Sequence, residues 1–230
     1  MLAIIPARAG SKELPNKNTT LLAGKPLIAW TIEAALKANS ISRVVVSTED
    51  AGIAAVARQF GAEVPFLRPM ELASDTAATR DVLLHALAAL SELPPAKPIS
   101  EFCLLQATSP FRRAEHIDQA MELFRTKSAS SVIAVTEFEH PVQWAIQVGD
   151  DDQIVPPRQE AGCQRQACEV YWRPNGAIYI CQRAHIRASP SFYGPNSYAY
   201  RMSREDSLDI DTQMDLLYCE FLLQRHAPGQ

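Results

Sequence analysis

A short basic loop follows the first apolar run of the sequence. The stretch IIPARAGSKELPNKN, residues 4–18, carries the cations Arg8, Lys12 and Lys17 and a single acid. Gly10 and its small neighbours permit close approach of the backbone, so that N–H groups can surround an anion. Arg8 and Lys12 would add charge-assisted hydrogen bonds to phosphate oxygens. The loop therefore predicts a site for a small, concentrated anion, although an ordinary basic surface loop has the same composition.

Two aspartates near the end of the chain form a second candidate group. In an extended SLDIDTQMDL segment, alternate side chains share a face, so Asp209 and Asp211 would point the same way. Carboxylate oxygens suit Mg2+, which is commonly held by one or two carboxylates and by phosphates. Thr212 and Asp215 have capping-box spacing, which predicts a helix over 213–224. The group predicts a metal site, and the alternative is two exposed acids at a strand end.

The composition of the chain limits the number of domains and the classes of partner that are possible. With 230 residues, 47% hydrophobic and 21% charged, the chain can bury one core, and we expect a single domain, 1–230. The formal net charge is −4, although residues 1–30 hold four Lys or Arg against one acid. Nucleic-acid binders usually have a broad basic face, so no nucleic-acid partner is expected. The sequence has no leader-like start and no run of about 18 apolar residues, so we expect a cytoplasmic protein without membrane contact.

Several common site motifs are missing from the sequence. It contains neither the G-x-x-x-x-G-K-[ST] loop of P-loop NTPases nor the G-x-G-x-x-G turn of dinucleotide-binding folds. The five cysteines include no Cys-x-x-Cys pair and no His pair at metal-ligand spacing. These absences disfavour a small-molecule kinase, a dehydrogenase, a structural zinc site and a disulfide. We expect reduced, mostly buried thiols.

Short apolar runs alternate with segments of helical periodicity. The runs are nearly continuous, as in strands buried on both faces, and they cover 2–7, 43–48, 102–107, 131–136 and 176–181. Helices are predicted over 26–37, 50–60, 78–92 and 114–126, with Pro26 at the first helical position of its helix. The alternation predicts an α/β fold with a mostly parallel sheet. Such sheets bind ligands beyond the carboxyl ends of their strands, where the basic loop lies.

The pattern changes at about residue 137. Residues 137–170 are rich in Pro, Gln and Asp, and we interpret them as an antiparallel excursion inserted in the same domain. The run 149–152, which reads Gly-Asp-Asp-Asp, is expected to form the tip of a solvated hairpin.

Seven stretches resemble, in order, the successive blocks of the acylneuraminate cytidylyltransferases, also called CMP-sialic acid synthetases. They are IIPARAGSKELPNKN, GKPLIAWTIEAAL, VVVSTED, GAEVPFLRPMELASDTA, LLQATSPFR, RPNGAIYI and SLDIDTQMDL, and they span nearly the whole chain. The resemblance implies a Rossmann-like nucleotidyltransferase fold, a Mg2+ cofactor and a homodimer, with the 137–170 excursion as its contact. It also implies transfer of CMP from CTP to the anomeric hydroxyl of a nonulosonic acid, such as N-acetylneuraminate or legionaminate, with release of pyrophosphate.

The same resemblance implies roles for individual residues. The nucleotide-binding positions are Arg8, Lys12, Lys17, Asn18 and Arg68. Arg8 and Lys12 would lie at the triphosphate and take part in catalysis, and Asp209 and Asp211 would be the catalytic ligands of Mg2+.

On the acceptor side, the resemblance implies that Gln106 contacts the sugar and that Arg165 and Tyr179 line its pocket. An arginine suits this role because a guanidinium can bind the carboxylate of a nonulosonic acid in bidentate fashion. Phe192 and Tyr193 match an aromatic pair near the acyl group, and plain packing is their alternative role.

Two departures from the family pattern affect the reading. Glu13 stands where many members have glycine, and no lysine follows His140 and Pro141, as it does in some sialate enzymes. The identity of the sugar acid is therefore open. The alternatives are an enzyme like CMP-Kdo synthetase, which acts on an eight-carbon acid, and a non-catalytic nucleotide-binding module on the same fold.

Overall fold

Strands and helices alternate along most of the chain in the computed structural model, which describes residues 1–94, 98–155 and 164–226. Within these ranges the strands are β1 (Leu2–Pro6), β2 (Leu21–Leu22), β3 (Lys25–Pro26), β4 (Arg43–Ser47), β5 (Glu101–Leu104), β6 (Ser131–Glu137), β7 (Gln147–Val148), β8 (Ile154–Val155), β9 (Trp172–Gln182) and β10 (Ser197–Arg201). The α-helices are α1 (Leu27–Lys37), α2 (Ala51–Gln59), α3 (Thr79–Glu92), α4 (Ala114–Thr126), α5 (Arg183–Ala188) and α6 (Gln213–His226).

The central sheet has six strands in the order β10-β6-β9-β5-β1-β4. β1 is parallel to β4 and β5, and β6 is parallel to β10, which confirms the mostly parallel α/β sheet. β9 runs antiparallel to both of its neighbours. The excursion brings the chain to β9 at the carboxyl edge of the sheet, so β9 runs in the reverse direction. A helical crossover would have returned the chain to the opposite edge and made β9 parallel.

The predicted strands and helices are confirmed to within four residues, and the differences include the start of α1 and several elements that were not predicted. Pro26 is the last residue of β3 and has an extended ψ of 137°, so α1 begins one residue later than predicted. The strand β10 was not predicted, because its sequence, Ser197–Arg201, is an edge strand whose side chains are only partly buried. No helix in the described ranges is both long enough and apolar enough to cross a membrane.

Helices cover both faces of the sheet. Along β1, Ala3 and Ile5 belong to the core cluster that packs against α1, α2 and α4, whereas Leu2 and Ile4 belong to the cluster beneath α3 and α5. This alternation follows from the two-residue period of a strand. The nearly continuous apolar runs therefore arise because both faces of the strand are buried.

The predicted capping box starts the last helix. The Thr212 hydroxyl oxygen accepts a hydrogen bond from the Asp215 amide at 3.3 Å, and the Asp215 carboxylate accepts one from the Thr212 amide at 2.7 Å. These reciprocal bonds satisfy amides that an uncapped helix leaves without partners. The helix that follows, α6, extends two residues beyond its predicted end.

The excursion contains the antiparallel hairpin of β7 and β8. Residues 149–152 form its exposed tip, as predicted, and Asp152 adopts a positive φ of 61° there. Many large apolar side chains in this part of the chain are exposed, namely Phe138, Val142, Trp144, Ile146, Val148, Ile154, Val155, Val170 and Tyr171. Residues 156–163 of the predicted excursion lie outside the described residues.

The cysteine prediction is only partly correct. Cys103, Cys181 and Cys219 are free and buried, as expected. Cys168 is disulfide-bonded, so the expectation of a reduced thiol is wrong at this position. Motif spacing could not reveal this bond, because a disulfide requires only that two side chains meet in space.

Asp118 on α4 joins this helix to the turn after α1. Its carboxylate accepts hydrogen bonds from the backbone and side chain of both Asn39 and Ser40, at 2.5–3.2 Å. Burial by itself would raise the pKa of Asp118, but the bonds from Ser40 and Asn39 outweigh it and hold the pKa below its usual value.

We expect Asp118→Ala to lower the free energy of unfolding by about 2 kcal/mol, since several bonds to a charged acceptor are lost. Because the folded-state pKa is depressed, this difference is fully present above the unfolded pKa of about 3.9 and disappears as the pH falls through the lower folded pKa. Urea titrations at several pH values measure it. The exposed Glu122→Ala on the same helix is the control and is expected to change little.

Candidate functional site

Seven of the predicted site residues line one cleft beyond the carboxyl ends of β1, β4 and β5. This central cleft has a volume of about 410 Å³. The predicted residues that line it are Arg8, Lys17, Asn18, Arg68, Gln106, Asp209 and Asp211. Of the predicted nucleotide-binding residues, Lys12 is outside this lining, with 80% of its side chain exposed. Glu13 is also exposed, so its carboxylate does not enter the cleft.

Arg8 and Lys12 share one carboxylate. Arg8 Nη1 lies 2.7 Å from one oxygen of Asp75, and Lys12 Nζ lies 2.7 Å from the other. Hydrogen bonds from Lys12 and Arg8 hold the pKa of Asp75 below its usual value. The two cations are therefore already arranged around one bridging anion. Sequence reasoning missed Asp75, since an acid more than sixty positions away has no local signal of this contact.

The backbone of the basic loop is less available than predicted. The amides of Ala7, Ala9 and Ser11 donate to Ser47 O, Glu49 Oε1 and Ala9 O at 2.8–3.0 Å, so the expectation that they surround an anion is wrong for these three groups. Open space surrounds Gly10. Side chains thus supply much of the positive charge that this loop presents to the cleft.

Asn18 stabilises the loop from within. Its side chain is buried, and its amide nitrogen donates to the Arg8 carbonyl at 2.8 Å. Lys17 lies beside it and contacts Asp211 Oδ1 at 2.7 Å. The loop is therefore tied both to itself and to the second candidate group.

Glu49 and Arg68 form a buried ion pair at the edge of the cleft. Arg68 Nη2 lies 2.6 Å from Glu49 Oε2, and their side chains are only 3% and 7% exposed. The other oxygen of Glu49 accepts the Ala9 amide at 2.8 Å. Glu49 thus holds both the basic loop and Arg68. The sequence contained a signal for it, because an acid directly after a buried strand lies at the ligand-binding edge.

Asp209 and Asp211 lie together in the cleft, although residues 208–212 are not a strand as predicted. Ile210 between them is fully buried, and its amide donates to the Thr108 carbonyl at 2.9 Å. Leu208, on the other side of Asp209, is only partly buried against the core. The hydrogen bond from Ile210 takes the place of the strand pairing that the sequence suggested. Both carboxylates still lie on the side of the cleft.

The two carboxylates differ in their surroundings. Burial raises the pKa of Asp209 despite a hydrogen bond from Thr108, and its Oδ1 atom is buried without a hydrogen-bond partner among the described residues. Asp211 is 58% exposed and contacts Lys17. Among the described residues, no group of three or more His, Cys, Asp or Glu is arranged so that its side chains alone could hold a metal ion. Two carboxylates with an unused buried oxygen therefore suit a hard cation that takes its other ligands from a bound phosphate or water.

A second cavity adjoins the central cleft at Gln106, which lines both. This aromatic cavity has a volume of about 340 Å³ and is also lined by Tyr179, Phe192 and Tyr193. The ring centroids of Tyr179 and Phe192 are 4.9 Å apart. Burial raises the pKa of Tyr179 to about 12, so its hydroxyl is neutral at physiological pH. Four of the five residues predicted for the acceptor side are thus brought together.

Arg165 is the fifth, and the structure separates it from the aromatic residues. It lies on a short 3-10 turn, Arg165–Ala167, and lines a third cavity of about 1020 Å³. Arg173, Arg204 and Arg225 also line this arginine cavity, which meets the central cleft at Asp209. A motif match gives the order of residues along a chain but no distance, so it could not reveal this separation.

Comparison with known proteins points to one family. The model of the family described as Cytidylyltransferase matches residues 2–225. The N-acylneuraminate cytidylyltransferase of Escherichia coli O18:K1:H7 is 39% identical over 216 residues, which are 94% of this chain and 50% of that protein. The CMP-N,N'-diacetyllegionaminic acid synthase of Legionella pneumophila is 38% identical over 231 residues, 97% of this chain and 96% of that protein. The chain therefore spans half of the first relative and nearly all of the second.

The fold is also found among solved structures. CMP:2-keto-3-deoxy-manno-octonic acid synthetase complexed with CTP superposes with a TM-score of 0.72 and covers 97% of this chain and 98% of that one. The sequences are only 17% identical, so this likeness establishes the nucleotidyltransferase type of fold alone.

The buried Glu49–Arg68 pair gives a test of how the cleft is held. We expect Glu49→Gln to lower the free energy of unfolding by about 3 kcal/mol, because it leaves the buried Arg68 cation without a counter-charge. Glu63→Gln is the matched control. It removes the partner of Arg43 in an exposed pair, with side chains 37% and 47% exposed, and is expected to cost less than about 1 kcal/mol. Equal losses in urea titrations would contradict the role given to Glu49.

Proposed function

Because this chain belongs to the cytidylyltransferase family, we propose that it transfers CMP from CTP to the anomeric hydroxyl of a nonulosonic acid and releases pyrophosphate. N-acetylneuraminate and legionaminate are the acceptors to test first. The observation that carries this proposal is the meeting of two cavities at Gln106, one lined by cations and carboxylates and the other by aromatic rings. Such a pair of cavities suits a phosphate-bearing substrate and a partly apolar one held side by side.

The central cleft is the proposed CTP site. Arg8, Lys17 and Arg68 line it, and Lys12 stands at its rim beside Asp75. Arg8 and Lys12 share the single carboxylate of Asp75, so one positive charge of the group is not compensated. A triphosphate carries more charge than one carboxylate, so we propose that its oxygens replace Asp75 as the partners of these two cations.

Mg2+ is the proposed cofactor, and Asp209 and Asp211 would hold it. Bound there, it would supply charge neutralisation at the phosphates and acidify a coordinated hydroxyl. The buried, unpartnered oxygen of Asp209 supports this assignment. Lys17 lies against Asp211 and places another cation where negative charge develops.

The aromatic cavity is the proposed acceptor site. Tyr179 and Phe192 offer apolar surface to an acyl group, and Gln106 offers hydrogen bonds at the junction with the central cleft. Catalysis then rests on holding the acceptor hydroxyl in line with the α-phosphorus. Arg165 remains the proposed partner of the acceptor carboxylate, which would then have to extend from the central cleft into the arginine cavity that Arg165 and Asp209 both line.

We also propose that the chain forms a homodimer through its 137–170 excursion. The exposed apolar side chains of that region support this contact, because large apolar patches on a protein surface commonly mark interaction sites. The cytoplasm is the proposed location, since CTP must be available to the enzyme.

The activity is tested by following pyrophosphate release with CTP and Mg2+ and with each acid in turn: N-acetylneuraminate, legionaminate and the eight-carbon Kdo. We expect turnover with a nonulosonic acid and a loss of at least about 100-fold in kcat for Asp209→Asn or Asp211→Asn, since each removes a charge that the transition state requires. Asp151→Asn at the hairpin tip is the control. Turnover with Kdo alone would favour the alternative acceptor, and no turnover with any acid would favour a non-catalytic module.

The dimer is tested by sedimentation at micromolar concentration. We expect the unaltered protein to sediment as a dimer and Ile154→Glu to sediment as a monomer, because a charge would be buried in the contact. Ile154 is 60% exposed in the single chain. Leu36→Glu, at a site 49% exposed on α1, is the matched control and is expected to remain dimeric. A monomeric unaltered protein would contradict the proposal.

A further inference from the structure

Arg112 is a buried cation in the turn between β5 and α4. Its side chain is 2% exposed, and it forms no ion pair with any residue in the described ranges. Burial lowers the pKa of Arg112 to about 10, so the guanidinium still carries its charge at neutral pH. An unpaired buried charge is costly, and it persists only where its hydrogen bonds are needed.

Those hydrogen bonds tie three segments to one another. Nη1 donates to the carbonyls of Gln106 at 3.1 Å and Ala177 at 2.8 Å, and Nη2 donates to the hydroxyl of Thr31. The Thr31 hydroxyl in turn lies 3.3 Å from the Gln106 carbonyl. The guanidinium thus joins the chain after β5, the middle of β9 and the helix α1. A lysine has a single terminal nitrogen and cannot reproduce this planar fork.

The side chain of Gln106 is confined from the opposite direction. Gly176 in β9 has a φ of 78°, and a Cβ atom there would overlap the Oε1 atom of Gln106. Asn175 helps to hold this part of β9, because its Oδ1 atom accepts the Ala177 amide at 3.0 Å. The backbone carbonyl of Gln106 is therefore held by Arg112, and its side-chain amide is confined by the surface of β9.

We propose that Arg112 is a positioning residue that sets Gln106 at the junction of the central cleft and the aromatic cavity. This inference rests on the proposed function, in which Gln106 meets the acceptor. Arg112 itself lines neither cavity but contacts Gln106, which lines both, so it acts through Gln106. A shift of Gln106 by a fraction of an ångström would misplace the acceptor hydroxyl relative to the α-phosphorus and leave the triphosphate contacts in place.

A double-mutant cycle tests the proposal. We expect Arg112→Lys to lower kcat/KM for the acceptor about 10- to 100-fold, a loss typical of misplaced reacting groups, with the KM for CTP nearly unchanged. Gln106→Ala should cause a similar loss, and the double variant should be no worse than Gln106→Ala alone. The proposal would be overturned if the loss of kcat/KM in the double variant equalled the product of the two single losses. It would also be overturned if Arg112→Lys affected the acceptor and CTP equally, which would leave Arg112 with a purely structural role.

Arg183→Lys is the matched control for loss of an arginine fork. Arg183 lies just after the far end of β9, and its Nη1 donates to the Ser91 hydroxyl at 3.0 Å. We expect Arg183→Lys to change kcat/KM for the acceptor and for CTP by the same factor. If Arg112→Lys does not fold, Thr31→Val replaces it in the cycle, since it keeps the shape and removes one acceptor of the guanidinium. Full additivity of Thr31→Val with Gln106→Ala would then overturn the proposal.

A readout without turnover separates this inference from the proposed function. If the unaltered protein shows no transfer, the proposed function fails, and the side-chain amide resonance of Gln106 in 15N-labelled protein decides the positioning role. We expect that resonance to shift in Arg112→Lys or Thr31→Val and to stay in place in Arg183→Lys. An unchanged resonance in both of the first two variants would overturn the proposal.

Discussion

The parallel pairing of β1 with β4 on one side and β5 on the other is the constraint on which the site depends. Ile4 lies opposite Val45 in one pairing and opposite Leu104 in the other, so the carboxyl ends of all three strands reach the same edge. Each strand is followed there by polar residues. The basic loop follows β1, Glu49 follows β4 and Gln106 follows β5. Parallel pairing therefore gathers distant parts of the sequence into the central cleft.

In the cleft and at its rim, each of these cations contacts a carboxylate from another part of the chain. Arg8 and Lys12 share Asp75, Lys17 contacts Asp211, and Arg68 is paired with Glu49. These pairs are not equivalent. The Glu49 pair is buried and also holds the loop backbone, so it stabilises the fold of the edge. The Asp75 contacts are partly exposed to solvent, so breaking them would cost little free energy.

The reversed strand β9 joins the cleft to the acceptor side. Its Gly176 leaves room for Gln106, its Ala177 carbonyl accepts a hydrogen bond from Arg112, and its Tyr179 forms a wall of the aromatic cavity. The excursion that precedes β9 delivers the chain to the carboxyl edge of the sheet, and this gives β9 its direction. The same part of the chain carries the exposed apolar side chains, so the proposed dimer contact and the acceptor side are directly continuous along the backbone.

The sequence determined the features that arise from short-range physics. Hydrophobic periodicity located five of the six strands of the central sheet and most helices, and capping-box spacing located the start of α6. The position of the basic loop directly after a buried strand also identified it as a candidate, whereas Gln106 was identified by the family resemblance. These features depend only on neighbours within a few residues. The family resemblance gave the order of the candidate residues along the chain, but it gave no distances between them.

Only the tertiary structure decided the rest, because the deciding contacts join residues far apart in sequence. Asp75 meets Arg8 and Lys12 across more than sixty positions, and Arg112 meets Ala177 across 65. The separation of Arg165 from the aromatic cavity and the direction of β9 likewise follow from the path of the chain through space. A side chain's partner depends on packing and burial, and neither quantity is a property of its local sequence.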